Sequence, residues 1–233
     1  MNNNGSERLD LKTVLVGQSL MFGLLGKITY TYPDQELLEV IMEEGLFAEA
    51  PFGNKQEQTQ KGLSLVNDWL DEYRDQKEQA LKELRVDYTG LFIEITDKEI
   101  SPWESVYFTE ERAIFQKSTL KVREWYRRFG LQVTKLYKEP DDHVGLEFAF
   151  LSHLAGQAVE ALEDGDRDRT QKIIQAQKDF LGEHVLTWVP TWSEQLREYA
   201  KTDFYRGISH LVQGSLEETR ELLEDQNLLE VGR

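Results

Sequence analysis

The sequence predicts an all-α protein, either a single helical domain or two closely packed helical subdomains joined by a hinge. Three observations point there. Only five prolines interrupt 233 residues, and the long runs are rich in Glu, Leu, Lys, Arg, Gln and Ala, which helices prefer. Apolar residues return at three- and four-residue spacing through most of the chain, the period of a helix with one buried face. Helix-start signals stand between those stretches.

Leu11, Val14, Leu15, Met21, Phe22, Leu25 and Ile28 mark a first amphipathic helix. Pro33 suits the first turn of a second, followed by Glu36 to Met42, because proline's fixed φ fits that position. Gly45 to Asn54 reads as a loop, and helical spacing resumes near Glu57 and runs through Leu63, Val66, Trp69, Leu70 and Tyr73 towards Leu84. From Asp87 to Phe108 the pattern changes to a short helical end and a long ordered loop, a segment type that often carries function. Thr109 is placed to cap the next helix, which Gly130 ends. Gln132 to Glu139 is a short connection and the best boundary. It gives an N-terminal helical subdomain over 1–134, a hinge with an acidic motif over 135–143 and a C-terminal helical subdomain over 144–233. Val144, Phe148, Leu151, Ala155, Val159 and Leu162 stripe a strong helix, Gly165 ends it and Asp166 starts another through Phe180. Pro190 is expected to break that run. Thr191 with Glu194, and Ser215 with Glu218, read as capping boxes for the last two helices.

Charge and composition exclude several function classes. Lys and Arg number 27 against 43 Asp and Glu, for a net charge of −16. That field repels a nucleic-acid backbone and anionic membranes but steers a cationic peptide inward. No cysteine is present, which removes disulfides, thiolate metal sites and cysteine nucleophiles together. Met1 to Asp10 is polar and mixed in charge, unlike an export signal. The longest purely apolar and glycine run is Leu20 to Gly26, short of the roughly 18 residues of a spanning helix. A cytoplasmic, soluble protein is expected.

The segment Glu139-Pro140-Asp141-Asp142-His143 concentrates ionisable groups beside the presumed hinge. Pro140 keeps Glu139 extended, and either aspartate can cap the following helix. Carboxylates presented there can also receive arginine side chains through bidentate bonds. His143 and Glu147 lie one turn apart with His153 further along, too sparse for a metal site. Acid–base work by His143 with Asp142 lacks an accompanying nucleophile or phosphate loop. Trp103, Tyr107 and Phe108 offer aromatic contact area with few torsions to freeze. Each could equally fill a local core. Phe180, Leu181, His184, Val185 and Trp188 follow helical spacing, which core packing alone explains. Lys121 to Arg128 interleaves bases and aromatics and reads, on so acidic a chain, as a solvated helix face.

Tyr88-Thr89-Gly90-Leu91-Phe92, Pro102-Trp103-Glu104-Ser105-Val106-Tyr107 and Glu139-Pro140-Asp141-Asp142-His143-Val144-Gly145-Leu146-Glu147 stand in this order in the sequence. In order and spacing they resemble the TorD/DmsD-type redox-enzyme maturation chaperones of the TorD/DmsD/NarJ-like superfamily. Phe180 to Trp192 is similar to that family's Phe-Leu-x-x-His-Leu-x-x-Trp-x-Pro stretch, with Val185 in place of leucine. The resemblance implies an all-helical fold of about a dozen helices, a hinge near the acidic motif, and a monomer or domain-swapped homodimer. It implies binding of the twin-arginine leader, and of the apo form, of a molybdenum-cofactor oxidoreductase in the cytoplasm, delaying export until the cofactor is inserted. Trp103, Glu104, Ser105, Tyr107, Pro140, Asp141, Asp142 and His143 match the family's leader-recognising positions. Some members are linked with weak guanine-nucleotide binding, for which this sequence has no phosphate loop.

The expected mechanism pairs leader arginines with carboxylates around Asp141, Asp142, Glu139 and Glu104, and packs the leader's apolar stretch on Trp103, Tyr107 and Phe108. No cofactor, metal, nucleic acid or stable membrane insertion is expected, and no enzymatic activity. The rival readings are a weak GTP-binding or GTP-hydrolysing enzyme using His143 and Asp142, and a scaffold that ignores leaders.

Overall fold

The computed structural model describes residues 11–93, 100–109, 111–132 and 140–224, and these form nine α-helices. They are α1 (Leu11–Tyr30), α2 (Gln35–Glu43), α3 (Glu57–Glu72), α4 (Lys77–Tyr88), α5 (Lys117–Arg128), α6 (Val144–Glu163), α7 (Arg167–Phe180), α8 (Leu186–Tyr199) and α9 (Asp203–Glu224). Single wide turns, Thr89–Ile93 and Leu181–Val185, extend α4 and join α7 to α8. A tight 3-10 turn covers Glu104–Tyr107. The all-α class stands, with no strand among the described residues. Most of the expected hinge, 135–139, lies outside the described residues, as does Glu139.

Local chemistry places most of these ends. Asp34 caps α2, its Oδ1 accepting from the Leu37 amide at 2.8 Å, so Pro33 precedes the helix rather than opening it. The expected continuous run from Glu57 towards Leu84 is two helices, because no apolar residue falls between Tyr73 and Ala80 to bury a connecting turn. Gly130, at φ 77, closes the end of α5. Gly165, at φ 70, ends α6, and Asp166 Oδ1 accepts from the Arg169 amide at 2.9 Å to start α7.

Five further expected boundaries are corrected. Thr109 does not cap α5; its hydroxyl accepts from Ala113 N at 3.0 Å in a separate turn. Left-handed Arg112 (φ 49) and Phe115 (φ 60) keep that segment from being helical until Lys117. Neither aspartate caps α6, because His143 does. Pro190 lies inside α8 instead of breaking it, and Thr191 is mid-helix. One backbone bond is lost at Pro190, while Trp188, Val189 and Trp192 around it are fully buried. Ser215 lies in the middle of α9, wholly buried. The start of α9 is instead set from a distance: Asp87 accepts from the Lys201 and Thr202 amides and the Thr202 hydroxyl at 2.8–3.1 Å.

Two close crossings assemble the helices. A Cβ on Gly26 of α1 would lie 2.9 Å from the Gly145 carbonyl of α6, and one on Gly145 would lie 2.9 Å from the Gly26 carbonyl. Gly62 of α3 and Gly207 of α9 repeat this reciprocity at 2.8 Å. Glycine lowers helix propensity by about 1 kcal/mol at such a position. In exchange it lets two backbones approach until apolar faces on either side interlock. Both crossings join a helix from before the acidic motif to one from after it, and a continuous hydrophobic core results. By length and composition α1 could cross a membrane. Here Leu15, Met21, Phe22, Leu25 and Ile28 of α1 are buried in that shared core.

Candidate functional site: a buried acidic lattice behind an aromatic rim

The segment 100–109 has little regular structure of its own and is held by the N-terminus of α6. Trp103 and His143 form an antiparallel bridge. The Glu104 amide donates to the Asp142 carbonyl at 2.9 Å, and the Val144 amide to the Pro102 carbonyl at 2.8 Å. Asp142 adds a third tie, its Oδ2 accepting from the Ser105 amide at 2.7 Å. The Asp142 carboxylate thus satisfies the first turn of the 3-10 segment, as an end-capping acid does.

Asp141 points the other way, into α5. Arg123 approaches its Oδ2 with Nε at 2.7 Å and a terminal nitrogen at 2.5 Å, and both side chains are buried. Tyr126, one turn on, donates its hydroxyl to the Asp141 carbonyl at 3.1 Å. Burial, with the nearby carboxylates Glu147, Asp142, Asp141 and Glu104, pushes the Tyr126 phenol well up, so it stays a donor.

His143 caps α6, its Nδ1 accepting from the Gly145 amide at 3.0 Å. That acceptor role requires a neutral ring, and burial lowers its pKa to about 3. Tyr30 and Trp103 meet the imidazole edge-on, with centroids at 5.2 and 5.8 Å. Behind it, His184 Nδ1 lies 3.0 and 3.1 Å from the two Glu104 carboxylate oxygens. Trp188 Nε1 donates to Glu147 Oε2 at 3.1 Å. Glu147 is fully buried beside Glu104 and Asp142; desolvation first, then their negative charge, pushes its pKa well up. Oxygens Asp141 Oδ1, Asp142 Oδ1 and Glu147 Oε1 have no hydrogen-bond partner among the described residues.

Of the residues singled out in the sequence, the fold brings Trp103, Glu104, Ser105, Tyr107, Pro140, Asp141, Asp142 and His143 to this junction, with Phe108 at its edge. Their exposure divides them. Glu104, Ser105, Pro140, Asp141, Asp142 and His143 are buried, and Trp103 and Tyr107 are half-buried. Phe108 is 55% exposed. The Tyr107 hydroxyl sits 2.7 Å from Gln195 Oε1, which fixes the ring against α8. The carboxylates therefore form an inner lattice, and the aromatics form a rim over it.

Sequence reasoning missed the lattice's other half. Arg123 belongs to the Lys121–Arg128 stretch expected to be a solvated face; Lys121, Arg127 and Arg128 are exposed, but Val122, Arg123 and Tyr126 are buried. Spacing carried a signal, since 119, 122, 123 and 126 follow one helical stripe. Glu147 pairs with Trp188 rather than with His143, and His153 lies apart, its Nε2 3.3 Å from the Phe129 carbonyl. No cluster of three or more His, Asp or Glu side chains suited to a metal occurs among the described residues.

Residues 55–194, which hold this junction, match the family model described as nitrate reductase delta subunit. The chaperone protein TorD of Vibrio cholerae serotype O1 is 27% identical over 149 residues, 64% of this chain and 66% of that protein. TorD of Vibrio vulnificus is 28% identical over 136 residues, 58% of this chain and 62% of its own length. The match thus spans just under two thirds of these relatives. A crystal structure of a protein proposed for redox enzyme maturation in Archaeoglobus fulgidus aligns with TM-score 0.46 and 20% identity, over 91% of this chain and 99% of that one. Both Vibrio relatives are named as chaperone proteins. With its matched region covering more than half of its length, the chain belongs to the nitrate reductase delta subunit family and is similar to the TorD chaperone proteins.

Proposed function

We propose that the chain is a cytoplasmic maturation chaperone, without a cofactor of its own, that binds the twin-arginine leader and the apo form of a molybdenum-cofactor oxidoreductase and delays its export until the cofactor is in place. The observation that carries this is the junction of 100–109 with α6. Two hydrogen bonds from the segment to Asp142 and one from the Val144 amide to its Pro102 carbonyl hold this otherwise irregular stretch rigidly. The Trp103–Tyr107–Phe108 rim is thereby set before a peptide arrives, which reduces the ordering cost of binding.

Beneath the rim, Asp141 already holds a guanidinium, that of Arg123. A leader arginine reaching Asp141 therefore competes with Arg123 or shares the carboxylate through the unoccupied Oδ1. Specificity for arginine over lysine follows from such an exchange, since only a planar guanidinium reproduces the two-nitrogen contact. The protein acts as a monomer or as a domain-swapped homodimer.

The test is the affinity of a twin-arginine leader peptide from a molybdoenzyme encoded beside this chain. Lysine for both arginines, or Asp142→Asn in the chain, should weaken binding by about 1–3 kcal/mol. Phe108→Ala should weaken it with the fold intact, because Phe108 is exposed. Affinity unchanged by all three sinks the proposed site; retained affinity for the leaderless enzyme alone would favour the scaffold.

A further inference from the structure

The outward face of α5 reverses the sign of the molecule. Lys117, Lys121, Arg127 and Arg128 are exposed along it, against the single exposed acid Glu124. The chain as a whole carries −16. No ion pair among the described residues engages Lys117, Lys121 or Arg127.

An apolar shoulder adjoins this face. Phe108, Ile114, Phe115 and Leu120 are all exposed, between 40% and 55%. Phe115 stands one residue before the α5 cap at Gln116, and Leu120 is the fourth residue of the helix. Those are the positions that pack together as a hydrophobic staple, yet both rings and branches stay half in water. Phe115 is moreover held at φ 60, a backbone region that bulky residues rarely adopt. Strain of this sort persists where the surrounding structure or a function requires it. The shoulder continues into the aromatic rim, because Thr109 bonds back to the Ser105 carbonyl at 3.4 Å and forward to Ala113 at 3.0 Å.

Charge decides what fits. A leader's arginines are repelled from this face. An anionic membrane attracts α5 but repels the rest of the molecule, and α5 cannot insert, since Val122, Arg123 and Tyr126 tie its other side into the core. What remains complementary in both charge and apolarity is an acidic protein surface with an apolar centre. We infer that the α5 face and its shoulder dock such a surface on the mature, leaderless part of the client enzyme, beside the leader site. The inference rests on the chaperone reading above and assigns its second contact.

The experiment measures wild type, Lys117→Glu/Lys121→Glu and Phe115→Asn/Leu120→Gln against two probes, the leaderless apo-enzyme and the leader peptide. Asparagine tolerates the left-handed backbone, and thermal melts check that each variant folds. Both variants should weaken leaderless enzyme by about tenfold or more, with leader affinity held within about twofold. Binding of the leaderless enzyme should weaken with salt in wild type and lose that dependence in the charge-reversed variant. The inference is overturned if wild type does not bind leaderless enzyme, if neither variant weakens it, or if leader affinity falls in parallel. It is equally overturned if the variants instead abolish binding to anionic vesicles or dissociate a homodimer. Loss of leader binding by wild type would count against the leader site alone.

Discussion

Arg123 of α5 holds Asp141, two residues before the α6 cap His143, through two nitrogens on one buried oxygen. Removing one partner of a buried pair leaves an uncompensated charge, at about 3–5 kcal/mol. Arg123→Met and Asp141→Asn should each destabilise the protein by that order in urea unfolding. The double variant should lose clearly less than the sum of the two. Additive losses would show that the two side chains do not depend on each other.

His143 gives the fold an acid-side weakness. Its ring is neutral in the folded state down to about pH 3, against 6.5 for a free imidazole. The unfolded chain therefore binds the proton first, and stability is complete above 6.5 and falls as pH drops from there towards 3. His143→Asn keeps a capping oxygen for the Gly145 amide and removes the titration. Its urea midpoint should fall less than that of wild type between pH 7 and pH 5. Equal slopes would place the acid sensitivity elsewhere.

Glu147 acts with the opposite sign. Its pKa is raised by burial and by Glu104 and Asp142, so its contribution is present at low pH and lost as pH rises through the folded value. Glu147→Gln keeps an oxygen for the Trp188 indole while removing the charge. The variant should be more stable than wild type at pH 8, and the difference should shrink towards pH 5. A less stable variant at pH 8 would mean that the carboxylate is needed as an anion.

The glycine crossings should tolerate no methyl group. A Cβ on Gly145 meets Tyr30 Cβ at 2.7 Å and the Gly26 carbonyl at 2.9 Å; one on Gly207 meets Val66 at 2.6 Å and the Gly62 carbonyl at 2.8 Å. Alanine gains helix propensity at either place, but overpacking costs about 1–3 kcal/mol. Gly145→Ala and Gly207→Ala should therefore lower the unfolding midpoint. Gly182→Ala, where nothing lies within 4 Å, should not lower it.

By itself the sequence determined the helical class and most helix cores, because apolar period and end caps act within a few residues. The Gly165–Asp166 boundary was legible for that reason. The stretches that meet at the junction were marked as one set only by their resemblance to a family. Only the tertiary structure decided what crosses the chain. Asp141 meets Arg123 across 18 residues, Glu104 meets His184 across 80, and Asp87 starts α9 from 115 residues away. Local spacing carries none of those distances. The same cause explains the misplaced boundaries. Ser215 with Glu218 has the form of a cap, but burial of Ser215 in the middle of α9 outweighs a local preference of about 1 kcal/mol. Which carboxylates face solvent was likewise undecided by sequence. An acidic cluster looks the same in sequence whether it waits for a ligand's arginine or already holds the chain's own.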